Sequence, residues 1–366
     1  MKKIVILGST GVIGRQALEI IRAYPKELKV IGLSAYKNIE LLKKQIKEFK
    51  PQQTACGNED LTRIATLKEA DLVLISVVGT AGLRPTLAAI RAKKNVALAT
   101  KEVLVLAGGL VMNEVKKNKV QLIPVDSEHS AIFQCLHSGI NKEIKRIILT
   151  MGKGRFAFMS HQELEKVSLK TIYEKPTWRM GQKISVDSAT CLNKSFEVIE
   201  AKWLFDLSEK QISIVVHPEY LCHSMVEFQD GSIIAEIGTA DMRRYIQYAL
   251  FYPERKKAKI TDSVDLINKK ISFEPPPINK FPGLNLGHKA VVSGGTMPAV
   301  LHGADDSAVD AFIRGEIKFT NIPSIIKQTM ENHRVKKNPC LNEIFKAEEW
   351  ARGYSKKIII EKKYEK

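Results

Sequence analysis

An α/β fold with more than one domain is what this sequence predicts, and three observations predict it. Residues 2–24 run as an aliphatic strand, a glycine turn and an amphipathic helix. From there to about residue 150, apolar strand patterns alternate with helical ones. A proline-rich stretch, 272–284, then separates an α+β middle region from a tail that is helical in pattern. Alternation of strand and helix builds a parallel sheet wound on both faces. A chain of 366 residues is too long for one ordinary core. Domains are therefore expected at 1–150, 151–271 and 285–366, with 272–284 as a linker whose prolines forbid helix.

Taken in order, KKIVILG reads as a strand and GSTGVIG as a turn with Gly8, Gly11 and Gly14 spaced G-x-x-G-x-x-G; RQALEIIRAYP carries an apolar helical face. Strand, glycine turn and helix together make a dinucleotide fingerprint: glycine lets the backbone approach a pyrophosphate, and the helix N-terminus offers it free N–H groups. The next strand, LKVIGLSAY, ends in Ser34-Ala35-Tyr36-Lys37-Asn38 without the acid that holds a ribose 2′-hydroxyl. Lys37 therefore reads either as the partner of a 2′-phosphate, favouring NADP, or as an ordinary surface lysine. ADLVLISVVG and NVALAT are further strands, with helices NIELLKKQIKEFKPQ and LRPTLAAIRAKK around them; Lys101 and Glu102 follow NVALAT, and VQLIPV is the last strand. The loops 8–14, 34–38, 79–83, 100–102 and 126–129 all fall at the carboxyl edge of this sheet, where open α/β sheets bind ligands.

PVDSEHS, residues 124–130, sets Asp126 and Glu128 at the end of that last strand. Two carboxylates so close together suit a cation between them; the plainer reading makes Asp126 the cap of a helix beginning near Ser130. A second stretch, ISVDSATCLNKSFE, gathers Ser185, Asp187, Ser188, Asn193, Lys194 and Glu197 on a segment that turns into a helix. Oxygen donors beside a lysine suit a hard divalent ion next to an anionic substrate. From Glu143 the pattern changes. EIKRIILTMGKGRF is a strand and a glycine loop, and KPTWRMGQ, residues 175–182, reads as a lid over a site or as a locally packed loop. The stretch from Ser213 to Gly238 reads as strand, hairpin turn at Asp230-Gly231, and strand, with His217 and His223 as packed histidines. Helical patterns follow from Thr296 onward as a small bundle.

Hydrophobic residues make up 44% and charged residues 27%, the profile of a soluble globular protein, and no run is long enough for a membrane span. The apolar start meets a glycine turn at once, so a first strand is expected there and no signal segment. Five cysteines without a Cys-x-x-Cys pair argue for reduced thiols in a cytoplasm. The net charge of +17 is spread along the chain without an aromatic-interleaved stripe, so a positive field that draws in phosphorylated substrates is expected, and no nucleic acid.

These motifs resemble the 1-deoxy-D-xylulose 5-phosphate reductoisomerase family, over nearly all of residues 1–330. The carriers are GSTGVIG, GLRPTLAAI, TKEVLVLAGG, PVDSEHSAIFQ, PTWRMGQKISVDSATCLNKSFEVIEA, HSMVEFQDGS and SGGTMPAVL. The resemblance implies a Rossmann-type NADP-binding domain, an α+β catalytic domain with a lid loop, a C-terminal helical bundle and a homodimer. It makes Asp126, Glu128 and Glu197 the ligands of Mg²⁺ or Mn²⁺, and gives Lys101 a part in catalysis. Ser127, Ser188, Asn193 and Lys194 would hold a small phosphorylated sugar, with Trp178 and Met180 in the lid. Gly8, Ser9, Thr10, Gly11, Val12, Ile13 and Gly14 would bind NADPH, with Lys37 and Asn38 near its 2′-phosphate and Thr100 and Glu102 beside it. The activity implied is a metal-assisted rearrangement followed by reduction to 2-C-methyl-D-erythritol 4-phosphate, in isoprenoid precursor biosynthesis.

The chain also departs from the family pattern. Thr100 stands where Asn is usual before Lys-Glu, and the usual LT-x-SGGPFR loop reads LTMGKGRFA, with Gly152 in place of serine and Lys153 next. Lys175 replaces the lid histidine, and the Asn-Ala-Ala-Asn-Glu pattern reads HGADD at 302–306. Lys153 and Lys175 are accordingly expected as phosphate contacts by charge. The alternatives that these changes leave are a related enzyme for another phosphorylated hydroxyketone and a non-catalytic NADP-binding regulator.

Overall fold

The computed structural model describes residues 1–57, 61–174 and 181–364, with side chains to residue 361. Six strands, β1 (Lys2–Leu7), β2 (Leu28–Ala35), β3 (Gln53–Cys56), β4 (Leu72–Ile75), β5 (Asn95–Leu98) and β6 (Leu122–Pro124), form a sheet in the order β3-β2-β1-β4-β5-β6. All neighbours pair in parallel. Parallel strands are covered on both faces and need continuous apolar runs; Ile4 to Leu7 and Leu72 to Ile75 are fully buried. Helix Val12–Ala23 buries Ala17, Ile20 and Ile21 in this core. Strand order reverses between β1 and β4, so the crevice beyond Leu7 and Ile75 is the place where such sheets take a ligand.

The chain divides into two compact units. The first comprises residues 1–103, 108–150 and 219–271; the second comprises 104–107, 151–218 and 272–366. Segment 219–271, placed by sequence order with the middle domain, thus packs within the first unit. Its helix Met242–Phe251 puts Ile246, Ala249 and Leu250 into the core of the parallel sheet. The second unit therefore reaches from residue 151 to the C-terminal helices without that segment.

The alternating stretch 213–238 yields three strands where two were expected. In chain order, β7 (Ile144–Met151) comes first, then β8 (Ile212–Val216), β9 (Cys222–Phe228) and β10 (Ile233–Ile237). The break between β8 and β9 falls where Pro218 lacks an N–H and Tyr220 takes a positive φ of 56°. In the first unit β9 pairs antiparallel with β7 and β10, and Gly231, at φ +88°, makes the hairpin turn.

The second unit is mainly helical. Helices Gln182–Ala189 and Leu192–Phe205 are joined at Cys191, whose φ is +62°. Asp187 and Ser188 therefore ride on a helix of their own, rather than in a lead-in to one. The proline-rich stretch ends in a helix the sequence reading omitted, Leu284–Ser293. It lies so close to helix Leu192–Phe205 that a Cβ at Gly287 would meet the Ser195 carbonyl oxygen at 2.2 Å. Helices Met297–Ile313, Asn321–Glu331 and Leu341–Tyr364 complete the unit. Gly303 permits a similar approach, since its Cβ would lie 2.3 Å from the Glu348 carbonyl oxygen.

Candidate active site

The turn after β1 is a cradle shaped by two of its three glycines. Gly8 has φ +90°, and a Cβ there would lie 2.5 Å from the Ser76 carbonyl oxygen; one at Gly14 would lie 2.3 Å from the Gly8 oxygen. Gly11 is less confined, with its nearest neighbour at 3.3 Å. It caps a helix whose first N–H groups, beginning at Val12 and Ile13, have no intrahelical acceptor and so suit an anion. Ser9 serves a different purpose. Its hydroxyl is buried, 2.7 Å from Gln45 Oε1 and 3.1 Å from the Ser34 carbonyl, and Gln45 Nε2 donates to the Ser9 carbonyl at 2.9 Å. Ser9 thus anchors the turn. Thr10 lies half-buried beside it, and Val12 is exposed. Lys37 is exposed at the end of β2 with Nζ 5.6 Å from the Tyr36 ring centre, and Asn38 caps the next helix by accepting from the Leu41 N–H at 3.1 Å. Thr100 donates to the Val77 carbonyl at 2.6 Å, fixing the end of β5, and Glu102 opens helix Glu102–Asn118.

At the end of β6 the chain turns at Asp126 and enters helix Ser127–Cys135 at once. The helix begins three residues before the expected Ser130, and the Asp126 side chain does not cap it. That carboxylate faces Lys101 instead, Oδ2 to Nζ 2.6 Å, with both side chains only 11% exposed. His129 Nδ1 stands 3.6 Å from the other oxygen. Burial alone would raise the Asp126 carboxyl, but the Lys101 ammonium and the His129 imidazole hold it well below the usual carboxylate range. An ionised carboxylate in so dry a place is a ready ligand for a hard cation. The Ser127 hydroxyl donates to Glu128. Glu128 also acts electrostatically on His223 and Tyr245, which meet edge-on with ring centres 5.6 Å apart. Burial holds His223 below its ordinary pKa, so it stands neutral there.

In the second unit, Glu197 is 1% exposed and Lys194 4%. Lys194 Nζ donates to one Glu197 oxygen, and Asn193 Nδ2 donates to the other at 2.5 Å. The start of helix Leu192–Phe205 therefore holds the buried Glu197 carboxylate in a fixed orientation between Lys194 and Asn193. Ser188 is exposed on the preceding helix. Lys153, expected at a phosphate, is held by an acid of its own chain: Nζ lies 2.6 Å from Glu274 Oε2 and 4.9 Å from the Phe158 ring centre. Lys175, Trp178 and Met180 lie outside the described residues.

Two features escaped the sequence reading. His129, three residues after Asp126, was legible only as helical spacing. Lys183 joins Asp187 to acids more than a hundred residues away, beyond any local pattern.

Comparison with known proteins places these residues in one context. Family models described as 1-deoxy-D-xylulose 5-phosphate reductoisomerase match residues 4–56 and 52–108. Models of C-terminal domains of the same enzyme match 122–205 and 237–354. A 1-deoxy-D-xylulose 5-phosphate reductoisomerase of Pelotomaculum thermopropionicum is 44% identical over 98% of this chain and 99% of its own length. One from a Thermoanaerobacter strain is 46% identical over 95% and 97%. Among solved structures, the Zymomonas mobilis enzyme in complex with NADPH superposes with a TM-score of 0.91 at 35% identity, covering 98% of this chain and 99% of that one. A reductoisomerase bound to NADPH, fosmidomycin and magnesium gives a TM-score of 0.91 at 35% identity, covering 98% of each chain.

Proposed function

Because the chain belongs to the 1-deoxy-D-xylulose 5-phosphate reductoisomerase family, we propose that its own residues carry out that reaction as follows. It is an NADPH- and Mg²⁺-dependent enzyme that converts 1-deoxy-D-xylulose 5-phosphate to 2-C-methyl-D-erythritol 4-phosphate. The observation that carries the assignment of residues is the setting of the carboxylates: Asp126 is paired with Lys101 and held well below the usual carboxylate range, and Glu197 is buried against Lys194 and Asn193.

The donor set fits the metal. Asp126, Glu128 and Glu197 offer only hard oxygen ligands, the choice of Mg²⁺ and Mn²⁺. The turn fits the nucleotide, since Gly8 and Gly14 let its backbone fold more tightly than any Cβ would allow and open directly onto the N-terminus of helix Val12–Ala23. When bound, the cation supplies positive charge to the substrate's ketone and hydroxyl oxygens, and NADPH supplies the hydride for the reduction. The chain's residues then divide the remaining work. Lys101 and Lys194 balance the carboxylates and the substrate's charge. Ser127, Ser188 and Asn193 orient its hydroxyls. Lys37 and Asn38 favour the 2′-phosphate cofactor, with Thr100 and Glu102 at the nicotinamide side of the sheet edge. Lys153 and Lys175 remain candidates for the substrate phosphate, with Trp178 over it; for Lys153 that requires release from Glu274.

The proposal extends to organisation. Residues 1–150 bind the cofactor, 151–271 carry catalysis and dimerisation although their part 219–271 packs within the first unit, 272–284 link, and 285–366 form the helical domain of a cytoplasmic homodimer. Free cysteines support a reducing compartment, and among the described residues no helix is long and apolar enough to cross a membrane. The test is NADPH oxidation with 1-deoxy-D-xylulose 5-phosphate and Mg²⁺, with the product identified by mass. Turnover that vanishes in EDTA and in Glu197→Gln supports the reading; metal-independent turnover, or none with this substrate, refutes it.

A further inference from the structure

Among the described residues of the second unit, a group of buried charges lies outside the residues assigned above. Lys183 and Asp187 are one turn apart on helix Gln182–Ala189, with Nζ 2.7 Å from Asp187 Oδ2. The same ammonium is paired with Asp305 and lies 3.5 Å from Asp306 Oδ1, both on helix Met297–Ile313. It also sits 5.0 Å from the ring centre of Phe196, the residue before Glu197. Behind it, His302 Nδ1 is 3.0 Å from Glu348 Oε1, and Arg352 bridges Asp306 and Glu348. His302, Asp306 and Glu348 have the spacing of a metal trio. Arg352 already donates to both acids, so a cation of the chain itself closes that cluster.

We propose that Lys183 is a positioning residue for the substrate site: clamped by Asp187, Asp305 and Asp306, it locks helix Gln182–Ala189 to helix Met297–Ile313 and so sets where Ser188 stands. The inference rests on the assignment of Ser188 to the substrate made above. Lys183 and Asp187 point to the bundle, while Ser188 is exposed. Gly303 brings helix Leu341–Tyr364 close enough for Glu348 and Arg352 to close the far side.

The clamp has a surplus of acid. The titratable groups facing it are Asp187 and Lys183 on one helix, His302, Asp305 and Asp306 on the second, and Glu348 and Arg352 on the third. Four carboxylates thus meet two permanent cations and one histidine. Asp187 Oδ1 and Asp305 Oδ1 are buried without a hydrogen-bond partner. One of these two acids keeps its proton at neutral pH. Burial, then the charge of Asp305, pushes Asp187 up to about 8. Asp305 stands where the family pattern has an amide, so this surplus belongs to this chain. Loss of that proton above that pH leaves an uncompensated negative charge between the helices and loosens the clamp.

Hydrogen-exchange protection of helix 182–189, corrected for intrinsic rate and read by mass spectrometry on the full-length protein between about pH 7 and 9.5, tests this independently of activity. Protection in the wild type is expected to fall as pH rises through about 8, by up to about tenfold per pH unit, and to stay level in Asp305→Asn. Lys183→Met lowers protection of helix 182–189 but not of helix 12–23. It also raises KM for 1-deoxy-D-xylulose 5-phosphate by about tenfold or more with NADPH affinity unchanged, and Lys183→Arg restores most of the loss. Protection that is flat with pH, or that falls equally in Asp305→Asn, overturns the clamp, and Asp305→Asn decides the matter if Lys183→Met does not fold. A KM within about twofold of wild type in Lys183→Met overturns its link to the substrate site. A wild type that does not turn over this substrate overturns the function proposed above and leaves the exchange result to judge the clamp.

Discussion

Replacing Lys101 by methionine keeps most of the side chain's bulk and removes one charge. The Lys101–Asp126 pair is 2.6 Å long and each side chain is 11% exposed. Breaking a buried pair costs about 3–5 kcal/mol, against about 0–1 kcal/mol for an exposed one. This pair belongs near the first range, with the His129 ring at 3.6 Å as partial compensation. A change of that size lowers the melting temperature of a unit of this size by roughly 6–20 °C. The sign of the pH dependence follows from Asp126, whose carboxyl is held well below its ordinary value. The pair's contribution is complete above the unfolded carboxylate pKa of about 3.9 and is lost as pH falls through the lower folded value. The gap between wild type and Lys101→Met is thus constant near neutrality and closes only in acid. With Asp126 as a metal ligand, as proposed, Lys101 and Mg²⁺ would compete for one carboxylate, and saturating Mg²⁺ should narrow the gap by binding the variant more tightly. Differential scanning fluorimetry with EDTA and with Mg²⁺ measures all of this. A shift within about 2 °C of wild type refutes the burial argument, and a gap that Mg²⁺ leaves unchanged refutes Asp126 as a ligand.

The remaining predictions concern the two ligand loops. Gly14→Ala drives a Cβ to within 2.3 Å of the Gly8 carbonyl; overpacking of about 1–3 kcal/mol should appear as an NADPH affinity at least about tenfold weaker by fluorescence titration, and unaltered binding would show that the turn does not hold the cofactor. Lys37→Glu should raise KM for NADPH by about tenfold or more while sparing NADH, and equal effects on both would remove Lys37 from the 2′-phosphate. Because Lys153 is engaged by Glu274, Lys153→Ser should change the substrate KM by less than about fivefold. A far larger increase would show that the ion pair opens and that the lysine binds phosphate.

Legibility in the sequence followed the range of the physics. The turn at Gly8–Gly14 was readable because its constraint is local: two positions admit no Cβ, and the flanking strand and helix carry their own periodicities. The parallel sheet followed from the same alternation. Asp126 and Glu128 were visible as paired acids at a strand end, but not the early helix start, which Asp126 makes by turning toward Lys101 rather than by capping. The joint at Cys191 gave no signal because a non-glycine residue holds a positive φ there. Helix Leu284–Ser293 was masked by the prolines before it, although Gly287 is what lets it pack. Lys183–Asp305 and Lys153–Glu274 join residues 122 and 121 positions apart. Such pairings depend on the tertiary fold, and no local pattern announces them.

The central proposal is that Asp126, Glu128 and Glu197 are ligands of a divalent cation. Mn²⁺ binding followed by electron paramagnetic resonance, on wild type and on Asp126→Asn, Glu128→Gln and Glu197→Gln, tests it most directly. The account predicts one strong site per chain in the wild type and a loss of affinity of about tenfold or more in each variant, Glu197→Gln included. Wild-type Mn²⁺ affinity in Glu197→Gln, with the fold intact, would contradict it.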